Sequence, residues 1–491
     1  MSRSLGNLAA TGTMLNGMSQ IVRVVLGLLL TLIVSRMLTP DDFGLIAMVA
    51  PVTAFVALIP SLGLGQALIQ AEELTTDQIN SAFWISLALG IACAAALLVA
   101  APFVGRFFED DRAVDLTMAT AANLFVTNLS TVPSSVIMRE MRFGKLSSGD
   151  LVGSITLFAS TLVAALLLDN YWALWVGAFA SAVLTTVYFW TVSSWRPTAT
   201  PNFRSSSPLW KLSSAVTGFN VLNFLARNAD NVLIGKFAGT YSLGLYDRSY
   251  RLMTFPLANL TEPLGRVMLP VLSQLRKEPE RFRRAFLKVA WIVMLCTAPA
   301  AIVIASASET VIVFLLGERW VEAGDIFFWL SVGAIYQPLS SITGWLFISM
   351  GRSREMLQWA LFSSVTTILS FCVGIFWGVA GVAMAYVLTS IARLPLLYHG
   401  TTRQTPISKG DLYMLLLPSC AAGIVIGLLA YLSEQEPTLV TLLTRAAISY
   451  AICAGVTLAV PEGRQALIEL RSQLASMLRD MGARINGTSE R

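Results

Sequence analysis

The sequence contains few of the residues from which enzymes and metal proteins build their sites. Charged residues make up 13% of its 491 positions, and it has one histidine. Its five cysteines lie inside apolar stretches without paired ligand spacing, so they are interpreted as small core residues, and no zinc site, disulfide or thiol chemistry is implied. Hydrophobic residues account for 55% of the chain, and its mean hydropathy is +0.68. A chain of this composition requires lipid around it.

Long apolar runs recur along almost the whole chain. A window of about 20 residues, the length that crosses a bilayer, predicts about fourteen spans and therefore an all-α polytopic membrane protein. The first run, 14–38, is too long for a cleaved signal peptide and is expected to remain as a helix. The seventh and eighth spans are the least apolar and the richest in charge, which indicates that they line something polar. The span centres lie near Leu28, Thr53, Ala92, Phe125, Leu157, Ala182, Phe224, Pro256, Met294, Val332, Thr367, Val387, Gly423 and Ile448.

The positive charges predict the orientation of these spans, because short cytoplasmic loops carry an excess of Lys and Arg. With the N-terminus inside, 22 of the 34 Lys and Arg residues fall at the cytoplasmic face, six fall outside and six fall within spans. Both termini are therefore predicted to be cytoplasmic.

A repeat of about two hundred residues relates the first six spans to the next six. Because each half has an even number of spans, the two halves enter the membrane in the same direction and are related by an axis along the membrane normal. This predicts two six-helix lobes with a cleft between them, suited to alternating access. Matches at an offset of 200 include Gly44-Leu45 with Gly244-Leu245, Leu64-Gly65 with Leu264-Gly265, and Arg36 with Lys236.

The predicted domains follow from this repeat. The N-lobe is 1–205 with helices one to six, and the C-lobe is 206–403 with helices seven to twelve. Helices thirteen and fourteen occupy 404–461 and lie outside the repeat. The tail, 462–491, has apolar residues at helical spacing and arginines on its other faces. It is predicted to be a cytoplasmic amphipathic helix, either along the inner membrane surface or packed against cytoplasmic loops.

Polar residues form stripes on the helices expected to line the cleft. An arginine near the bilayer centre costs about 2.5 to 3.5 kcal/mol, so it is expected to face a water-filled path. Arginines at matching places in the two repeats therefore predict a central cationic cavity that holds an anion. Helix one carries Asn16, Gln20 and Arg23, helix seven carries Asn220, Asn223, Arg227 and Asp230, and helix eight carries Arg248, Arg251, Glu262 and Arg266.

Each of these arginines also has a structural interpretation. Arg227 and Asp230 are three residues apart and could form a neutralised pair that only joins two helices. Arg23 has no acid in its own helix, which favours the cavity. The arginines of helix eight lie near enough to the interfaces to snorkel. Arg393, near the inner end of helix twelve, is interpreted as a positive-inside anchor.

Four segments resemble a known family. The sequence resembles the Wzx-type polysaccharide exporters of the multidrug/oligosaccharidyl-lipid/polysaccharide superfamily, and most of all their exopolysaccharide and colanic-acid branch. The resemblance extends over essentially the whole chain, and its motifs say little about which glycan is moved. The segments that carry it are SRMLTPDDFGLIAM (35–48), SLGLGQALIQ (61–70), YSLGLYDRSYRLMTFPL (241–257) and LPVLSQL (269–275).

The resemblance implies a flippase of the bacterial inner membrane. Its cargo would be an undecaprenyl-diphosphate-linked oligosaccharide, moved from the cytoplasmic to the periplasmic leaflet, and a succinoglycan-like acidic repeat unit is the specific suggestion. No cofactor is expected, although H⁺ or Na⁺ could drive transport at Asp230 or Glu262. The implied partners are the lipid-linked cargo and membrane lipid, with a polysaccharide polymerase and export machinery as further candidates, and no nucleic acid. The substrate-binding residues would be Arg23 and Arg227 for the diphosphate or an acidic sugar, Arg248, Arg251 and Arg266 along the route, and Asn16, Gln20, Asn220 and Asn223 for sugar hydroxyls.

Three other functions remain open at this point. A flippase for a lipid-linked peptidoglycan precursor would need the same chemistry. A drug or cation antiporter shares the repeat, but it should have about twelve spans and a lumen that favours cations. A membrane glycosyltransferase or polymerase would need paired carboxylates or a substantial domain outside the membrane, and the sequence indicates neither.

Overall fold

A computed structural model describes residues 2–58, 68, 75–198, 207–433, 437–469 and 471–472. Within these ranges, the side chains of 2–16, 18, 207–223, 225–227, 256 and 258 lie outside the description. The described residues form helices and their connections, with no strand among them. The helices are α1 (Ser2–Met37), α2 (Pro40–Leu58), α3 (Thr76–Phe108), α4 (Arg112–Leu129), α5 (Thr131–Arg139), α6 (Phe143–Leu168), α7 (Trp172–Val192), α8 (Ser207–Gln274), α9 (Pro279–Ala305), α10 (Ser308–Leu316), α11 (Ala323–Ser349), α12 (Ser353–Gly374), α13 (Gly378–Thr402), α14 (Lys409–Leu432) and α15 (Leu439–Ala459).

The helices confirm the predicted class of an all-α polytopic membrane protein. Each of the predicted span centres lies inside a helix. Among the described residues, ten helical stretches are long and apolar enough to cross a membrane, and one of them, 353–402, contains both α12 and α13. The helix α8 is not among the ten, in line with its low predicted apolarity. The count of about fourteen spans is consistent with these helices.

The predicted seventh and eighth spans both lie in α8, which consists of two helical segments joined by a kink at Gly239. The backbone there has φ 78° and ψ 179°, a conformation outside the helical region. Glycine adopts positive φ without the steric cost that a side chain would impose, so it allows the chain to change direction in one residue. The break brings the residues before Gly239 near those that follow it, which places several of the charged side chains described below.

The starts of two helices, α3 and α14, are fixed by capping side chains. The Thr75 hydroxyl accepts a hydrogen bond from the Gln78 backbone N–H at 3.3 Å, and the Gln78 side chain accepts from the Thr75 N–H at 3.0 Å. Ser408 and Asp411 make the same reciprocal pair at the start of α14. Such capping boxes satisfy backbone donors that have no partner within the helix.

Contacts divide the chain into two compact units. The first comprises Met1–Arg248 with Leu315–Trp320, and the second comprises Ser249–Phe314 with Val321–Arg491. In the first unit α6 packs along α7 and α1, and α3 packs along α4. In the second unit α9 packs against α11, α12 against α13, and α14 against α15. These units are defined by contacts and not by the repeat, so the predicted lobe and domain boundaries remain a prediction.

The second unit has an apolar core to which the start of the C-terminal tail contributes. Phe282, Phe286 and Leu412 are fully or almost fully buried there. The Arg283 guanidinium donates to Asp411 at 2.7 Å and to Glu462 at 3.1 Å. The helical residues 461–469 are therefore tied to α9. This contact agrees with the second of the two predicted placements of the tail, in which it packs against the protein. Residues 473–491 of the predicted amphipathic tail lie outside the described residues.

Candidate functional site

Arg23 forms an ion pair with an acid from another helix. One of its terminal nitrogens donates to Asp150 of α6 at 2.9 Å, and the other donates to Gln20 at 2.6 Å. The side chains of Arg23 and Asp150 are 33% and 44% exposed, so the pair is accessible. The Nε of Arg23 is buried and has no hydrogen-bond partner. The arginine lacks an acid on its own helix, as the sequence indicated, but its charge is compensated from a position 127 residues away.

The remaining predicted substrate residues have different environments. Arg248 is 13% exposed, pairs with Asp247 at 3.3 Å and lies 4.1 Å from the centre of the Phe43 ring. This burial contradicts the interpretation that Arg248 snorkels to the interface. Arg251 and Arg266 are exposed. The side chains of Asn16, Asn220, Asn223 and Arg227 lie outside the described residues. Among the predicted residues that are described, Gln20 and Arg23 contact each other.

Two buried acids lie on either side of the break in α8. Asp230 is 6% exposed and accepts hydrogen bonds from the Tyr246 hydroxyl at 3.1 Å and from the Asn231 backbone N–H at 2.9 Å. Asp247, which sequence reasoning missed, is 5% exposed. Glu262, the other predicted ion-coupling residue, is exposed. In the described part of the chain, no group of three or more His, Cys, Asp and Glu side chains could hold a metal ion.

The two repeats make a close backbone contact at equivalent positions. A Cβ atom added at Gly44 would lie 1.7 Å from the carbonyl oxygen of Thr240, and one added at Gly244 would lie 1.8 Å from the carbonyl oxygen of Pro40. Both pairs are offset by 200 residues, so each repeat presents the same glycine to the same carbonyl of the other. We call this contact, formed by 40–44 and 240–244, the glycine crossing. Only glycine allows backbones to approach this closely.

A network of charges surrounds the glycine crossing. Asp41 accepts a hydrogen bond from the Thr240 hydroxyl and forms an ion pair with Arg112 at 2.5 Å. Arg112 also binds Asp110 at 2.7 Å, so one guanidinium joins the start of α2 to the start of α4. Such bidentate pairs add geometric specificity as well as attraction. None of these three charged residues was singled out by spacing in the sequence.

Polar contacts are also made by Lys236 and next to its repeat partner Arg36. The ammonium group of Lys236 donates to Glu109 at 2.7 Å and holds the pKa of that carboxyl below its usual value. Near Arg36, the Trp320 indole donates to the Ser35 carbonyl at 2.7 Å. The chain is thus held by a polar contact at both repeat positions. At Lys236 the contact is an ion pair, and next to Arg36 it is a hydrogen bond to the backbone.

Arg393 in the second unit is buried, contrary to the prediction of an interface anchor. It is 9% exposed, and one of its terminal nitrogens donates to the Ser363 carbonyl at 2.6 Å and to the hydroxyls of Thr366 and Thr367 at 2.7 and 2.8 Å. The other donates to the Ser390 hydroxyl at 2.8 Å. The guanidinium therefore joins α12 to α13 from inside the helix bundle.

The fold and these sites define a class of protein. It is a multi-span helical membrane protein that keeps arginines and carboxylates inside its spans, which is typical of substrate and ion pathways. The family described as "Polysaccharide biosynthesis protein" matches residues 33–325, more than half of the chain, and the chain belongs to that family. This confirms the resemblance seen in the sequence segments.

Two curated relatives have names from polysaccharide synthesis. The chain is 23% identical over 309 residues to the teichuronic acid biosynthesis protein TuaB of Bacillus subtilis (strain 168), a match that covers 62% of this chain and 64% of TuaB. It is 24% identical over 336 residues to the succinoglycan biosynthesis transport protein ExoT of Rhizobium meliloti (strain 1021), a match that covers 68% of each protein. The chain thus spans slightly less than two thirds of the length of TuaB.

A solved structure supports the fold over almost the whole chain. The lipid II flippase MurJ, in an inward closed conformation, is similar with a TM-score of 0.74 at 14% sequence identity. The similarity covers 91% of this chain and 99% of MurJ. At this identity it shows the fold alone.

Proposed function

We propose that the protein is a flippase that moves undecaprenyl-diphosphate-linked oligosaccharide repeat units from the cytoplasmic to the periplasmic leaflet by alternating access. The observation that carries this proposal is membership of the polysaccharide biosynthesis family over more than half of the chain. The name of ExoT refers to succinoglycan transport, and MurJ is named as a lipid II flippase. Charged side chains inside membrane spans also favour a transporter, because such residues mark substrate and ion pathways.

Arg23 is the described residue best placed to bind the diphosphate of such a cargo. A guanidinium stays charged and can bind two phosphate oxygens at once. The side chain is one-third exposed, so an anion can reach it, and its Nε has no partner. Asp150 neutralises Arg23 while the site is empty of cargo, which lowers the cost of keeping a cation inside the membrane. Gln20, bonded to Arg23, is suited to a sugar hydroxyl.

The other substrate residues enter the proposal from their positions in the sequence. Arg227 lies in the seventh predicted span, which is the first part of α8. As the equivalent of Arg23 in the second repeat, it is proposed to face the same diphosphate or an acidic sugar. The exposed side chains of Arg251 and Arg266 are available along the route. The asparagines at 16, 220 and 223 are proposed to bind sugar hydroxyls.

The glycine crossing is suited to close the route at one end. The distribution of Lys and Arg predicts that the first and seventh spans run from the cytoplasm to the outer face. Residues 40–44 and 240–244 follow these two spans and are therefore predicted to lie at the outer face. A contact between equivalent backbones of the two repeats can be made or lost as a unit when the lobes move. We therefore propose that the crossing is formed when the outer end is closed and is separated when cargo leaves on that side.

Coupling to an ion gradient is proposed to act through Asp230. A buried carboxylate within a span is costly, and its charge can be compensated by a proton or by Na⁺. Asp230 contacts Tyr246 across the break in α8, so a change in its charge would act on the contact between the two segments of a helix that lines the proposed route. The exposed carboxylate of Glu262 is the second candidate.

The setting of the protein follows from this function. We propose the cytoplasmic membrane of a bacterium, with both termini in the cytoplasm, since lipid-linked repeat units are presented on that side. A polysaccharide polymerase and export machinery are proposed partners, because flipped repeat units must be joined and carried onward.

Flipping of a labelled undecaprenyl-diphosphate oligosaccharide in proteoliposomes tests this function. Wild type should move the cargo, whereas Arg23→Ala and Arg227→Ala should move it at least tenfold more slowly while remaining folded. Arg403→Gln, which removes an exposed charge after α13, is the control and should transport like wild type. Unchanged transport by the Arg23 and Arg227 variants would make these arginines structural.

A lipid-linked peptidoglycan precursor is the second candidate cargo. The similarity of the fold to a lipid II flippase favours it, and a diphosphate lipid would fit the same arginine. Parallel assays with both lipids decide between them. Transport of the peptidoglycan precursor alone would replace the proposed cargo.

A further inference from the structure

A cavity of about 220 Å³ lies beside Arg393 in the second unit. It is lined by residues of α11, α12 and α13. Drug-sized ligands occupy pockets of about 300 to 1,000 Å³, so this one suits a smaller molecule such as a single sugar ring. Its polar lining includes the amide of Gln337, the hydroxyls of Ser340 and Ser390, and the indole of Trp359.

Arg393 gives this cavity an uncompensated positive charge. In the described part of the chain its side chain contacts hydroxyls and a carbonyl oxygen, and no Asp or Glu forms an ion pair with it. Arg283 and Arg352 of the same unit each bind a carboxylate, whereas the buried Arg445, like Arg393, binds a carbonyl oxygen and hydroxyls. Keeping a buried cation without an acid is costly, and an anionic ligand would lower that cost.

A second group in the cavity lacks a partner. The Gln337 side chain donates to the Tyr386 hydroxyl at 3.0 Å, while its Oε1 is buried and has no hydrogen-bond partner. If the amide is turned over, the orphaned atom becomes the nitrogen instead. A halide or another simple anion cannot donate to the oxygen. A sugar hydroxyl both donates and accepts, so it satisfies the amide in either orientation.

We propose that this cavity binds an acidic sugar, with its carboxylate at Arg393, a ring hydroxyl at Gln337 and one face of the ring against Trp359. The combination of one cation, an unpartnered amide oxygen and an aromatic side chain points to this class of ligand more than to an inorganic anion. The inference deepens the proposed function, on which it rests for the source of the ligand: an acidic unit of the transported oligosaccharide. It would make the second unit a determinant of cargo specificity.

Binding of free glucuronate, glucose and inorganic phosphate to the purified full-length protein tests the cavity itself. Glucuronate should bind at least tenfold more tightly than glucose. Gln337→Leu should weaken glucuronate binding about 2- to 10-fold, as expected for one hydrogen bond, and Trp359→Leu should weaken it similarly. Arg393→Gln should abolish the preference for glucuronate over glucose. Arg403→Gln is the matched control for charge and should bind like wild type.

Two results would overturn the proposal. One is equal binding of glucuronate and glucose by wild type. The other is binding of phosphate as tight as that of glucuronate, with no effect of Gln337→Leu, because that would describe a simple anion site. Arg393 ties two helices together, so the Gln337 and Trp359 variants keep the test decisive if Arg393→Gln fails to fold.

Transport of two lipid-linked cargoes, with and without an acidic sugar, separates this inference from the function on which it rests. Gln337→Leu should slow the acidic cargo and spare the neutral one. Equal slowing of both would count against a specificity role. If wild type moves neither cargo, the proposed function fails, while the binding measurements still decide whether the cavity takes an acidic sugar.

Discussion

Replacing Gly44 by alanine adds one methyl group where the glycine crossing has no room for it. The new Cβ would lie 1.7 Å from the Thr240 carbonyl oxygen, whereas ordinary contacts begin near 3.4 Å. The two backbones must therefore separate by more than 1 Å, because the obstructing atom belongs to the backbone and no rotamer change relieves the clash. Overpacking of this kind costs about 1 to 3 kcal/mol. That would disfavour the closed crossing by about 5- to 150-fold.

The effect should be specific to the closed state. Alanine is a better helix former than glycine, so α2 itself should not be destabilised. Gly244→Ala should act in the same way, since its Cβ would lie 1.8 Å from the Pro40 carbonyl oxygen. Gly427→Ala in α14 is the matched control, because no atom lies within 4 Å of its added Cβ.

Spin labels near the crossing measure the separation. Cysteines introduced as Asp111→Cys and Phe237→Cys would carry the labels, since both positions are exposed. The exposed native cysteines at 296, 372 and 420 would first be replaced by serine. Wild type in nanodiscs should show a short-distance population, and both glycine variants should gain a longer one and transport at least fivefold more slowly. Wild-type distances and rates in both variants would refute the role of the crossing.

Three further substitutions test other parts of the structure. Asp150→Asn removes the acid that neutralises Arg23, and because exposed pairs contribute about 0.2 to 1 kcal/mol, a diphosphate lipid should bind about 1.4- to 5-fold more tightly in a direct binding assay. Asp230→Asn keeps the shape of the side chain but removes its charge, so flipping in proteoliposomes should no longer respond to an imposed H⁺ or Na⁺ gradient. Arg283→Ala removes the ion pairs with Asp411 and Glu462, so hydrogen exchange in 461–469 should become faster while exchange in the helix bundle stays unchanged.

Each of these predictions has a clear contrary outcome. Weaker binding by Asp150→Asn would mean that the acid organises Arg23 for the lipid. A retained gradient response in Asp230→Asn would exclude that residue as the coupling site. Unchanged exchange after Arg283→Ala would show that apolar contacts alone hold the segment. Asp77→Asn, which removes an exposed acid in the first turn of α3, serves as the control for both acid substitutions.

Sequence reasoning located the helices well because lipid imposes a local rule. Every predicted centre fell within a helix, including Phe224 and Pro256 in the weakly apolar α8. The repeat was also recognised locally, from Gly44 and Gly244 at the same register. The break at Gly239 was not predicted, since a single glycine in an apolar segment gives no indication of its φ angle.

Side-chain partners were predicted less well. The sequence showed that Arg23 had no acid on its own helix, but Asp150 is supplied by α6. Arg393 was predicted to be an interface anchor because it lies near the inner end of the twelfth predicted span, which is α13. In the structure, hydroxyls of the neighbouring helix α12 bind it inside the bundle. Periodicity identifies the face of one helix, and it does not identify which neighbour meets that face.

The sequence by itself determined the membrane class, the positions of the helices, the repeat and the family. These depend on local composition, because a backbone in lipid must satisfy its hydrogen bonds within each helix and expose apolar side chains along about 20 residues. Only the tertiary structure decided which charges are paired, that equivalent glycines of the two repeats touch, and that Arg393 lies at a cavity where no described acid pairs with it. Those features depend on contacts between segments that are far apart in the chain. Such contacts are set by the packing of whole helices, and the sequence of one segment does not specify how that helix packs.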